Sequence, residues 1–130
     1  MTKRSASLRR IGAVQALIQR RAEAALAAAE RDKAAIEAQR QDLDTYAAGE
    51  NLRGDLARHV DAQGRRLAGR HEAATQEVAR RTAIDQAARL RHKLFDDARS
   101  RMEREEAALS ERRDLERSIE DLVARAASTT

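Results

Sequence analysis

Three histidines, His59, His71 and His92, are the first residues to weigh for chemistry. Their spacings of 12 and 21 put no pair one helical turn apart. His71 is followed by Glu72, but Ala73-Ala74-Thr75 come next, so the zinc-binding arrangement of two His and a Glu on one helix face is not formed. Glu103, Glu105 and Glu106 lie in an acidic run, which on a helix makes a solvated face. A phosphate-cradling loop needs glycine followed by Lys-Ser or Lys-Thr, and none of the five glycines is so placed. With no cysteine, disulfides and thiolate metal sites are excluded. The expectation is a chain that is not an enzyme, with no catalytic residue, no metal, no cofactor and no small-molecule substrate.

The elements that would carry these residues are helices. The 130 residues suffice for one domain, but they include 29 alanines, one Phe, one Tyr and no Trp, while 37% are charged. That is too little large apolar surface for a thick core. Proline is absent, and Ala, Arg, Glu, Gln and Leu dominate, so helix is favoured over any long window. The fold class expected is all-α, a long two-helix antiparallel coiled coil forming a helical hairpin. A sustained apolar segment is missing, since Ile11 to Ile18 is short and carries Gly12 and Gln15. No signal peptide and no membrane span are therefore expected, and a cytoplasmic location is the default.

The turn is expected at about residues 49–54, where Gly49, Asn51 and Gly54 interrupt the pattern. The first helix then covers about 7–48, with Ser5 or Ser7 placed to cap it, and the second about 55–126. Their lengths are on the order of 60 and 110 Å at 1.5 Å per residue. Gly64 and Gly69 mark the alternative site for a bend or turn. The apolar stripe of the first helix reads Leu8, Ile11, Val14, Ile18, Ala22, Ala29, Ile36, Leu43, Tyr46. Pairing it with the second helix sets Ile11 against Phe95, Ile18 against Ala88, Ala22 against Ile84, Gln39 against Leu67 and Tyr46 against Val60. Residues after about Arg99 are left without a partner. They carry Met102, Leu109, Leu115, Ile119 and Leu122, a stripe that calls for another chain to cover it.

Charge is unevenly placed on this frame. Residues 1–22 contain six basic residues and no acid, whereas signs interleave afterwards. A basic end fits an anionic protein surface, a nucleic acid or a membrane face. Only one Tyr and one Phe are available to stack on bases, and most Arg have acidic neighbours, so nucleic acid is the less favoured partner.

Near the end of the first helix, Gln39, Leu43 and Tyr46 form a row, and Val60, Gly64, Leu67 and His71 follow at gaps of four, three and four after the turn. With the length, the lack of Pro and Cys and the two-helix pattern, these rows resemble the FliJ/YscO group, the coiled-coil stalk proteins of flagellar and virulence type III export ATPases. Glu50 stands where that group carries a second aromatic residue. The resemblance implies a stalk with two working ends. Gln39, Leu43, Tyr46, Val60, Leu67 and His71 would meet the cytoplasmic ring of the export gate. Leu8, Ile11, Leu17, Leu109, Leu115 and Ile119 would lie at the end that enters a hexameric export ATPase. Export chaperones are a further partner class it leaves open. The competing expectations are a generic coiled-coil scaffold or adaptor and a basic nucleic-acid-associated helical protein.

Overall fold

The computed structural model describes residues 3–129 and is an all-α hairpin. Helix α1 spans Lys3–Gly49 and α2 spans Gly54–Ser128, with no strand among the described residues. Nothing in the sequence halts either helix, because proline is absent and the formers are strong. Gly64 and Gly69 lie within an unbroken α2, so no turn occurs there. Residues 50–53 make the turn, and Gly54 enters α2 at a φ of 61°. That left-handed conformation strains any residue with a Cβ. Asp55 follows in the first turn, where a negative charge suits the helix N-terminus, and accepts from Arg58 at 2.9 Å. Ser5 and Ser7 sit inside α1 rather than at its cap. The Ser5 hydroxyl instead donates across the hairpin to Glu106, at 3.1 Å.

The chain divides into two packed units, Ala13–His92 and the residues up to Gly12 together with Lys93 onward. In the first unit both helices turn inward a strict alternation of three- and four-residue gaps. On α1 this runs Gln15, Gln19, Ala22, Leu26, Ala29, Lys33, Ile36, Arg40, Leu43 and Ala47, each half-buried or buried. On α2 it runs Val60, Gly64, Leu67, His71, Ala74, Val78, Arg81, Asp85, Ala88 and His92. Only Ala22, Ala29, Ile36, Leu67, Ala88 and Asp85 fall below a tenth exposed. The seam is therefore thin. A buried methyl group contributes about 0.8 kcal/mol, whereas Ile36 or Leu67 contributes about 1.5–3 kcal/mol.

In the second unit Leu8 and Gly12 of α1 and Phe95, Arg99 and Met102 of α2 are half-buried. A Cβ built on Gly12 would lie 3.1 Å from Phe95 Cε1, so the ring rests on bare backbone. From Ala107 to Thr129 every residue of the chain is exposed.

The expected pairing is displaced by one residue. Gly12, not Ile11, meets Phe95, and Ile11, Val14 and Ile18 are exposed. The inward positions beyond Ala22 fall on Gln19, Gln15 and Gly12. Asp85 takes the buried place expected for Ile84, which is 40% exposed, and Ala47 turns inward in place of Tyr46. The Phe95 ring fits closely over the bare backbone of Gly12 in this register, and the alanines of residues 22–29 are small enough to leave room for either phase.

Candidate interaction surfaces

Near the turn, the gate-facing set predicted from sequence splits in two. Leu43, Val60, Leu67 and His71 point into the seam, with Leu67 buried. A Cβ on Gly64 would stand 3.9 Å from Leu43 Cδ2, an ordinary contact. Gln39 and Tyr46 are exposed, and Arg40 holds the inward position expected for Gln39. Gln39 Oε1 accepts from Arg70 Nη1 at 3.5 Å, a long bond across the helices. One turn away, His71 Nε2 lies 3.0 Å from Glu37 Oε1, and Lys33 Nζ is 3.9 Å from the same oxygen. The His71 hydrogen bond, with Lys33 and Arg40 adding, holds the Glu37 carboxyl below its ordinary value. An open groove of about 460 Å³ runs here between Gln39, Asp42, Leu43, Gln63, Leu67 and Arg70. The surface offers amide, phenol, guanidinium and carboxylate groups, which suits hydrogen bonding to a protein.

The set predicted for the other end is more accessible. Leu8 is half-buried on the seam, while Ile11 and Leu17 are exposed. On α2, Leu109, Leu115 and Ile119 are all at least half exposed. Leu122 and Val123, each 63% exposed, extend the same stripe. Leu122 lies seven residues after Leu115 and Val123 four after Ile119, helical spacings readable in the sequence alone. Val14, Ile18, Ile84 and Leu90 add exposed apolar surface within Ala13–His92. Sequence reasoning assigned Ile18 and Ile84 to the seam, because apolar character was followed instead of strict three-four alternation.

A third feature was not anticipated. Asp85, His92 and Arg99 occupy one column of α2 at seven-residue spacing, and Asp85 Oδ1, His92 Nδ1 and Arg99 Nε have no hydrogen-bond partner. The other Asp85 oxygen accepts from Arg89 Nε at 3.0 Å, and Arg89 Nη2 reaches Glu23 at 3.6 Å. Seven residues separate neighbours in the column by about 10 Å along the axis, too far for proton transfer between them. The column weakens the seam, because buried polar groups without partners are costly. Among the described residues no group of three or more His, Cys, Asp or Glu could hold a metal ion. Among them, too, no helix is long and apolar enough to cross a membrane. Family models, curated proteins and solved structures compared with this chain gave no match.

Proposed function

We propose that the chain is a non-enzymatic stalk of a type III protein export apparatus, flagellar or injectisome, working in the cytoplasm at the inner-membrane export machinery. In this reading its terminal end enters a hexameric export ATPase and its turn meets the cytoplasmic ring of the export gate. It passes the ATPase cycle to the gate by contact rather than by chemistry. The observation that carries the reading is the exposed aliphatic stripe from Leu109 to Val123. Large apolar side chains left at half exposure or more over several turns mark a surface meant for another protein. Exposed Gln39 and Tyr46 near the turn support a second docking point. The rows around them carry the family resemblance.

The decisive experiment is a pull-down of the cognate export ATPase on the full chain, with the ATPase rate and hexamer assembly measured alongside. Binding with a raised rate or promoted assembly is expected. Leu115→Asp with Ile119→Asp should remove it, and Tyr46→Ala should leave ATPase binding intact while weakening capture of the gate ring. No binding and no change in rate or assembly would overturn the stalk reading and leave the generic coiled-coil scaffold. Retention on nucleic acid at about 200 mM salt would instead favour the third reading, since counterion release erases a weak basic-patch effect.

A further inference from the structure

We propose that residues 108–126 of α2 pair antiparallel with the same segment of a second copy of this chain. The segment continues α2 beyond the inward-facing residues of the hairpin and is exposed throughout. Its stripe is Ala108, Arg112, Leu115, Ile119, Leu122 and Ala126, at gaps of four, three, four, three and four. This is a coiled-coil seam in its own right, turned by one residue from the seam that continues through Met102 and Glu106.

What identifies the occupant is self-complementarity. Lay the segment against its own copy with Leu115 opposite Ile119, and the remaining positions follow. Ala108 then faces Ala126, and Arg112 faces Leu122, so that each arginine stem lies along a leucine while its guanidinium reaches water. The flanks match as well. On one side Glu111 faces Arg125, twice by symmetry, with Ser118 meeting its own copy at the centre. This is the offset that Gln39 and Arg70 take within the hairpin. On the other side Leu109 faces Val123, again twice, which covers two further exposed apolar residues. The one like-charge pair is Glu116 with its copy, at the solvated rim and one turn from Arg112 on each chain.

A parallel pair of the same segments fails on charge. It stacks Arg112 on Arg112 and brings Glu111 toward Glu116 of the other chain, and like charges at such flanks are destabilising. The antiparallel arrangement is also isologous, so it closes as a dimer and leaves no stripe open for a third chain. It uses part of the surface that the export reading gives to a ring-shaped partner, so tail pairing and ring entry exclude each other. The dimer itself does not depend on that reading.

The test uses the full chain. Sedimentation equilibrium over about 5–500 µM, the range suited to a small interface, should show a monomer–dimer equilibrium. Ile119→Asp should abolish it without changing helix content. Glu111→Arg and Arg125→Glu should each weaken the dimer about tenfold, and the double exchange should restore it, because opposite charges are re-established in both symmetry-related pairs. The chain has no cysteine, so Ser118→Cys introduces a single thiol. Under oxidation it should cross-link as a symmetric dimer, whereas Asp114→Cys, on the outward face, should not. A monomer at every concentration overturns the proposal. So does a dimer that survives Ile119→Asp, or equal cross-linking at 114 and 118. None of these readouts involves an ATPase, so they fail or succeed separately from the export assignment.

Discussion

Two stretches of α2 invert the usual relation between hydrophobicity and burial. Between residues 74 and 92 the inward positions are Ala74, Val78, Arg81, Asp85, Ala88 and His92, and the deepest of them are Ala88 and Asp85, each 4% exposed. Between 109 and 123 lie Leu109, Leu115, Ile119, Leu122 and Val123, all at least half exposed. The polar stretch is buried because α1 lies opposite it. The aliphatic stretch stays exposed, although Arg4 of α1 lines a groove with its first member, Leu109. Burial in a hairpin is decided by which residues the register covers, and among the described residues the larger aliphatic side chains of this stretch are covered by neither helix. Internal pairing is modest, and the larger aliphatic side chains remain at the surface.

Matched truncations sharpen this contrast most. Leu67→Ala, in the seam, should cost about 2–3 kcal/mol in denaturant unfolding, from lost burial and an unfilled space. Leu122→Ala, in the exposed stripe, should change the unfolding of a dilute sample by less than about 0.5 kcal/mol. Equal losses at the two positions would break the distinction.

Asp85→Leu comes next. It replaces a buried carboxylate, one oxygen of which lacks a partner, with an apolar side chain of similar size. It should raise stability by about 1–2 kcal/mol, as replacement of poorly satisfied buried charge commonly does. A loss would show that the Asp85–Arg89–Glu23 chain of ion pairs supports the hairpin more than the orphan oxygen weakens it.

The glycines give a pair of effects with opposite signs. Gly69 has open space around a built Cβ, so Gly69→Ala should stabilise by about 1 kcal/mol through helix propensity. Gly12 lies under Phe95, so Gly12→Leu should destabilise by about 1–2 kcal/mol, because the ring must leave its place.

The smallest effect is in pH. Hydrogen bonds from Arg80, then Arg81, lower Glu77 from 4.5 to about 2, and the His71 bond lowers Glu37. A depressed carboxyl stabilises the folded state above its unfolded value and loses that contribution as pH falls through its folded one. Helicity followed by circular dichroism should therefore decline from about pH 4.5 toward 2. In Glu77→Gln the decline should be shallower, with little change at neutral pH.

How far the sequence was legible follows from these residues. The two helices, the turn and an α2 longer than its partner were readable, since they rest on propensity, the absence of proline and Gly49, Asn51 and Gly54. The exposed set Leu109, Leu115 and Ile119 was readable too, because an overhang follows from length alone. Gln39 and Tyr46 were placed on the seam and lie outside it, and Ile11, Ile18 and Ile84 were paired across the helices and face water. The reason is that a stripe interrupted by alanines at 22, 25 and 29 fits two phases equally well. Composition and local propensity thus determined that this chain is a helical hairpin with surface to spare. The tertiary structure alone decided which faces touch, because that choice turns on the space between helices: the Phe95 ring lies against the bare backbone of Gly12, and Asp85 takes the buried place that Ile84 leaves.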